Sequence, residues 1–446
     1  MNSNSKTIIK YYKTLLYLYL FFIKGIWTQL DDNDATYYYR PGERTGTTAS
    51  LVGDKLYFIG GMSLSQSYTD LFYLDLSTNF SSSVPAFMNT NKTLANFNGN
   101  SFGTTTVGGK NGWTIFLYGG QIPQSNNSLS SPNDQSGDVY ELDPSTNTES
   151  LARLDFTGPL PDGRDNTKAA MDSSGLIYIW GGFNTDRALW ICDTTALKWT
   201  NSTPSFNPKS RGDYSVTLLP DGRLIYIGGA LTRNASSFTD INQIWEYNTN
   251  VNIWINYTAK GANITNRARH SAVLAPDGYS IIVYGGVSPT PLSLQNSLVV
   301  MDTRSFTWVF PGVKNRPPTI IPSHHTATMI GDIMVVAFGS EDEKPSKSVY
   351  LLDTKNSTDY KYEWVSTYTK QPLPTTTTTI NQTIVNVTNN NTSNTAAIIG
   401  GAIGGFIFVF ALVAVGIVYY HRREAKQNDI TNDIAEHGQL SEIRLI

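Results

Sequence analysis

The sequence holds one cysteine, Cys192, in 446 residues. A lone thiol excludes an internal disulfide framework and any zinc site built on cysteines. Charge is also scarce. Asp, Glu, Lys and Arg make up 15% of the chain, against roughly 25% in ordinary soluble domains. With 33 Lys+Arg and 36 Asp+Glu the formal net charge is −3, so nothing draws the chain to nucleic acid. No phosphate-binding loop, HExxH pair or EF-hand spacing of acids occurs. Asn, Ser, Thr, Tyr and Gly are plentiful instead, which suits an all-β protein outside the cytosol.

Long apolar runs are confined to the two ends. Lys6, Lys10 and Lys13 precede Leu15–Ile23, a stretch of about 14 Å as helix, too short for a hydrocarbon core of about 30 Å. Residues 1–25 therefore read as a signal peptide. Ala396–Tyr420 is uncharged and about 37 Å long as helix, and His421-Arg422-Arg423 follows it. The positive-inside rule places residues 421–446 in the cytosol and the N-terminal part outside. The expectation is a single-pass protein of the cell membrane. Gly400, Gly401, Gly404 and Gly405 give overlapping GxxxG frames through which such helices can pair as a homodimer. Residues 369–395, with Pro372, Pro374 and five threonines from Thr375, read as a glycosylated stalk. Glycosylation signals stand at Asn79, Asn91, Asn126, Asn201, Asn234, Asn256, Asn263, Asn356, Asn381, Asn386, Asn390 and Asn391. They are expected to lie between strands.

The middle of the chain repeats. A hydrophobic run ends in a glycine pair at Gly60-Gly61, Gly119-Gly120, Gly181-Gly182, Gly228-Gly229 and Gly285-Gly286, with a degraded sixth copy at Gly339-Ser340. A second column closes on Asp75, Asp143, Asp193, Asn248, Asp302 and Asp353. Tryptophan stands six residues later at Trp199, Trp254 and Trp308 and is delayed to Trp364 in the sixth copy. The first two copies lack it. Turns such as Pro220-Asp221-Gly222 and Pro276-Asp277-Gly278 precede the glycine run and make hairpins. Each unit thus reads as four antiparallel strands.

These columns resemble the kelch motif. The resemblance implies an all-β, six-bladed kelch-type propeller of four-stranded antiparallel blades over residues 36–368, and a domain that binds other molecules. How the ring closes is open, including whether Tyr37–Tyr39 adds an outer strand to the last blade.

Alternating strands put the first-to-second and third-to-fourth turns on one face and the remaining connections on the other. The first set is expected to be uniformly short, and the second set to form the variable, ligand-binding face. An arginine precedes the first strand in four units: Arg44, Arg164, Arg211 and either Arg267 or Arg269. Kelch domains that hold acidic peptides use arginines here, so the resemblance implies a carboxylate- or sulfate-bearing ligand. The competing reading is that these arginines brace loop carbonyls. Arg211-Gly212-Asp213 spells an adhesion tripeptide, read as coincidence.

Galactose oxidase-like enzymes share such blades, but their site needs a tyrosine linked to cysteine and a tyrosine followed by histidine. Cys192 occupies a core column, and the one Tyr-His pair is Tyr420-His421, at the membrane edge. His270, His324 and His325 open two blades without the redox partners. No catalysis, metal or cofactor is expected. The function read from sequence is a cell-surface binding or adhesion module for a glycan or an acidic protein segment. The alternatives are a carbohydrate oxidase and a structural scaffold.

Overall fold

The third repeat shows why these residues form a sheet. Lys168–Met171, Leu176–Trp180, Leu189–Asp193 and Lys198–Ser202 pair antiparallel in chain order. The second strand is apolar on both sides because another sheet covers each of its faces. The Asp column is turn chemistry. Asp193 Oδ1 accepts the N–H groups of Thr195 and Ala196, both at 2.8 Å, and so starts the fourth strand. Asp75, Asn248, Asp302 and Asp353 accept in the same way from the residue two positions on.

The computed structural model describes residues 38–371 except 91–96, 98, 124–129, 145–150, 184–187, 203–207, 235 and 316–317. The expected signal peptide, transmembrane helix and tail, most of the stalk, and Asn91, Asn126, Asn381, Asn386, Asn390 and Asn391 lie outside the described residues. Among those described, no helix is long and apolar enough to cross a membrane.

Six sheets follow one another. Blade one is Thr48–Val52, Lys55–Ile59, Leu71–Asp75 and Phe87–Asn89, and blade two is Thr104–Gly108, Thr114–Tyr118, Val139–Leu142 and Ala152–Arg153. Blade four is Ser215–Leu218, Arg223–Ile227, Gln243–Asn248 and Ile253–Thr258. Blade five is Ser271–Leu274, Ser280–Tyr284, Leu298–Asp302 and Thr307–Val309, and blade six is Thr326–Ile330, Ile333–Ala337, Val349–Asn356 and Lys361–Val365. Each first strand neighbours the next blade's first strand, and the sixth neighbours the first. The ring is a closed six-bladed propeller. Blades five and six each gain a fifth strand, Lys260–Gly261 and Gly312–Lys314, laid parallel to the fourth.

Tryptophan joins one blade to the one before it. Trp199 packs on Tyr118, Trp254 on Trp180 and Trp364 on Tyr284, at centroid distances of 5.7, 5.4 and 5.2 Å. Their register partners are Cys192, Tyr247 and Leu352. In blade one Phe87 faces Leu74 in that same register, and in blade two buried Leu151 joins the core shared with blade one. The tryptophan is therefore replaced rather than missing.

Three expectations need correction. The sixth glycine pair is Phe338-Gly339, not Gly339-Ser340. Ile333–Ala337 ends immediately before Phe338, which takes the left-handed φ of +60° seen at the other first glycines, while Gly339 at +93° matches the second ones. The third-to-fourth connection of blade one is long, not short: Phe80–Ser81 within it pairs with Thr367–Tyr368. Several candidate glycosylation sites lie within strands rather than between them, Asn201 and Asn256 on outer fourth strands and Asn356 at the end of a third. All six described candidates are nonetheless exposed.

Closure is concentrated at Phe338. Its ring packs against Phe58, Phe72 and Phe87 of blade one at 5.1–5.8 Å. Tyr39 N–H donates to Phe87 O at 2.8 Å, so the leading segment lies on the first blade, not the last. Phe338→Ala should lower unfolding stability by about 3–5 kcal/mol, because it empties the joint that makes the ring cyclic. Gly286→Ala should cost at least as much, since its Cβ would stand 2.5 Å from Ala268 O at a φ of +94°. Urea denaturation of both variants checks this.

Candidate functional site

The connection entering each blade carries three positions with separate duties. The first is Arg44, Asn100, Arg164, Arg211, Arg267 and Pro322 around the ring. Each of these carbonyls receives the N–H of the preceding blade's second glycine, at 2.7–3.0 Å. A Cβ on the first glycine of the pair would meet the same carbonyl, which is why glycine recurs there.

The four expected arginines at this position point inward. Arg44, Arg164, Arg211 and Arg267 are all buried, and the Nη1 of each donates to the carbonyl of its own blade's glycine pair, at Gly60, Gly181, Gly228 and Gly285. Arg44 adds a two-pronged pair with Asp70 at 2.7 and 2.9 Å, and Arg267 bonds both the carbonyl and the side chain of Asn296. Burial lowers Arg211 and Arg267 to about 10, so both stay charged at neutral pH. These side chains hold loops. Arg211-Gly212-Asp213 is likewise inaccessible, its Arg and Asp buried and its Gly bridged to Ala230.

Two residues further on lies the second position: Gly46, Phe102, Asn166, Asp213, Arg269 and His324. All six have a left-handed φ between +50° and +66°. Each N–H donates to the carbonyl of the preceding member, at 2.8–2.9 Å for five bonds and 3.4 Å from Gly46 to His324. The result is a closed collar of backbone hydrogen bonds around the propeller axis. Five non-glycine residues in that conformation carry strain, and such outliers point to function.

The collar side chains form a polar mouth. Asp213 Oδ2 pairs with Arg269 Nε at 3.2 Å and Oδ1 with His324 Nε2 at 3.1 Å. Phe102 lies edge-on to His324 at 4.8 Å. Arg269 also donates to the Arg233 carbonyl, and Arg233 pairs with Asp165 at 2.5 Å while its guanidinium covers Phe183. Burial alone would raise Asp213, but His324 and Arg269 outweigh it and hold the carboxyl below its usual range. His324 is pushed down by burial against the pull of Asp213. Access is asymmetric. Arg233 and Arg269 are 33% and 27% exposed, whereas Asp165 and Asp213 are 0% and 3%. The carboxylates lie beneath and the cations face out.

Arg269 is thus the one expected arginine that reaches the mouth. Its clue was the spacing of two from the arginine column. Arg233 and Asp165 were missed, since Arg233 belongs to a loop with no repeat position. Arg233 also lines, with Phe183 and Leu231, a groove of about 570 Å³ between blades three and four.

The third position holds His270 and His325, whose Nε2 atoms bond Ser215 and Ser271 of the preceding blade at 3.0 and 2.7 Å. Burial, aided by Arg267 for one and Lys168 for the other, lowers both to about 3. Cys192 is buried against Trp199 and Ile177, its thiol pushed up to about 12 by burial. Among the described residues no group of His, Cys, Asp or Glu is arranged to hold a metal ion.

Comparison with known proteins agrees with this architecture. The sequence matches the KLHDC2/KLHL20/DRC7 Kelch-repeats domain over residues 101–261 and 215–396. It is 27% identical over 260 residues to multiple epidermal growth factor-like domains protein 8 of Mus musculus, covering 54% of this chain and 8% of that one. It is 24% identical over 252 residues to Kelch domain-containing protein 3 of Rattus norvegicus, covering 53% and 60%. The solved structure of YjhT superposes with a TM-score of 0.53 over 73% of this chain and 98% of that chain, at 13% identity. The chain therefore spans less than two thirds of these two curated relatives, and the YjhT likeness speaks to fold alone.

The histidine pair makes stability depend on pH. In the unfolded chain both protonate near 6.5, while the folded chain keeps them neutral down to about 3. Their contribution is complete above pH 6.5 and declines as pH falls, by up to about 1.4 kcal/mol per histidine per pH unit. The His270→Gln/His325→Gln variant should lose less stability than the native chain between pH 6.5 and 5 in urea titrations. Parallel losses would show that the imidazoles are not buried neutral.

Proposed function

The chain belongs to the Kelch-repeat family, and on that premise we propose that its propeller is a protein-interaction module whose loop face receives an acidic segment of a partner. The observation that carries this reading is the arrangement of the mouth, with Arg233 and Arg269 facing solvent above buried Asp165 and Asp213. Guanidiniums oriented by buried carboxylates are preorganised to bond an incoming carboxylate without first losing side-chain freedom. The groove beside Arg233 offers Phe183 and Leu231 to an apolar neighbour of that acid.

The same face explains the choice of a protein over a glycan. Five of the ten exposed large apolar side chains among the described residues, Leu64, Ile122, Leu160, Leu231 and Ile320, lie on connections that strand direction assigns to the loop face, and Leu231 adjoins the groove at Arg233. Apolar side chains around a charged centre suit a protein interface. On this reading the chain binds and does not catalyse, in keeping with Cys192 sealed in the core. The proposal also keeps the propeller outside the cell, supported by the exposure of Asn79, Asn201, Asn234, Asn256, Asn263 and Asn356.

Two experiments test the proposal. On arrays of acidic and neutral peptides, the full-length protein should select acidic sequences. Arg233→Gln and Arg269→Gln should each weaken that binding about tenfold or more; each also leaves a buried carboxylate short of its cation, so binding is compared at a temperature where urea denaturation shows the variant folded. Arg267→Ala should instead lower stability, because it strips a buried brace from Gly285 and Asn296. Binding indifferent to Arg233 and Arg269 would discard the mouth as the site. Separately, peptide N-glycosidase should shift the mobility of protein expressed in a eukaryotic secretory host, and an unchanged band would remove the extracellular placement.

A further inference from the structure

The second and third strands of blade four are joined by residues 228–242. Leu231 N–H donates to Ser237 O at 2.8 Å and Ala230 bridges Phe238, so Thr232, Arg233, Asn234 and Ser236 stand at the tip of this loop. Arg233 is held from both ends. Its carbonyl accepts Arg269 Nη2 at 2.9 Å, while its guanidinium bonds Asp165 and the Phe183 carbonyl. Asn234 follows with its Cα about 3.8 Å from that anchor. It lines the groove together with Phe183, Leu231 and Arg233.

Asn234-Ala235-Ser236 is also a glycosylation signal. Asn234 is exposed, and its Oδ1 accepts the Ser236 N–H at 3.1 Å. That bond engages the amide oxygen and not Nδ2, the atom that carries an N-linked sugar. Of the six described candidates, Asn234 alone lines this groove. Asn201 and Asn256, by contrast, stand on outer fourth strands.

On the basis of the proposed mouth and of its placement outside the cell, we infer that Asn234 carries an N-linked oligosaccharide that covers the groove and governs access to Arg233. In the transfer, the anomeric carbon of a lipid diphosphate-linked oligosaccharide breaks its bond to the diphosphate oxygen and bonds Asn234 Nδ2, which releases one proton to solvent. The bulky, hydrophilic chain is then rooted beside Phe183 and Leu231. It cannot swing clear, because the neighbouring Arg233 is fixed through both backbone and side chain. The glycosylated form closes the mouth to an acidic segment and the unglycosylated form opens it.

Expression of the full-length protein in a eukaryotic secretory host tests this. Mass spectrometry after peptide N-glycosidase should find Asn234 converted to aspartate, the mark of a removed glycan. Asn234→Gln and Ser236→Ala each destroy the signal at an exposed position. Both should bind a glutamate-rich peptide about tenfold or more tightly than the native protein. Asn256→Gln should match the native protein. Phenylglyoxal, which modifies accessible arginines, should react with Arg233 several times faster in Asn234→Gln, and this reads the cover without any ligand. An unmodified Asn234, equal Arg233 reactivity, or equal measurable binding by native protein and variant overturns the inference. If no form binds the peptide while the Arg233 contrast persists, the acidic-segment function falls and the glycan cover over Arg233 is upheld.

Discussion

A propeller is a chain that must return to its own beginning, and the collar of backbone hydrogen bonds is where this one does so. Six residues, one per blade, donate in turn around the axis until Gly46 meets His324. Each bond is worth only about 0.5–1.5 kcal/mol net, and five members hold a left-handed φ that offsets part of it. The collar's importance is geometric. It sets every blade at one distance from the axis, so the glycine carbonyls, bracing arginines and first strands all fall into register behind it. The closing bond is the longest, at 3.4 Å, and it lies beside the joint that Phe338 fills.

Seen from that joint, the sequence columns divide into those that make a blade and those that fasten blades together. The blade-making columns were legible: the hydrophobic run, the Asp that starts a turn, and the hairpin glycines are local, and local chemistry repeats. The fastening columns were only partly so, because a contact between blades can be made by whichever neighbour has the right shape. Phe87 does the work of tryptophan in blade one because Phe58, Phe72 and Phe338 complete an aromatic cluster around it. Phe338 stands where glycine is usual for a related reason. At the seam its neighbour is the aromatic wall of blade one, which receives a ring. A one-residue shift in the apparent repeat was the trace this exchange left in the sequence.

The candidate site was legible in its address and not in its residues. Counting strands put the arginine column on the face of the longer connections, yet four of those arginines spend their donors on carbonyls within the fold. Nothing in a single sequence separates a guanidinium that looks inward from one that looks outward. The difference is two residues of chain and the hand of one backbone dihedral. Arg267 and Arg269 make the contrast within one loop, the first fully buried and the second pairing Asp213 at the mouth. Arg233 had no repeat position to announce it and became visible only through Asp165 and Phe183.

This division has a consequence for how such a scaffold acquires specificity. The bracing position is constrained by its side chain, since the donors of Arg44, Arg164 and Arg267 complete bonds the loops require. The collar position is constrained first by its backbone: it must be left-handed and must pass on one N–H. Its side chain answers to its collar neighbours, as where Asp213 pairs with Arg269 and His324 or where a Cβ on Gly46 would crowd Phe102. The six collar residues are accordingly all different, ranging from glycine through phenylalanine and asparagine to aspartate, arginine and histidine. A position that fixes the fold mainly by its backbone is where recognition can change by exchanging side chains that pair with one another, as Asp213, Arg269 and His324 do. The mouth of this propeller is built from six such positions facing one axis.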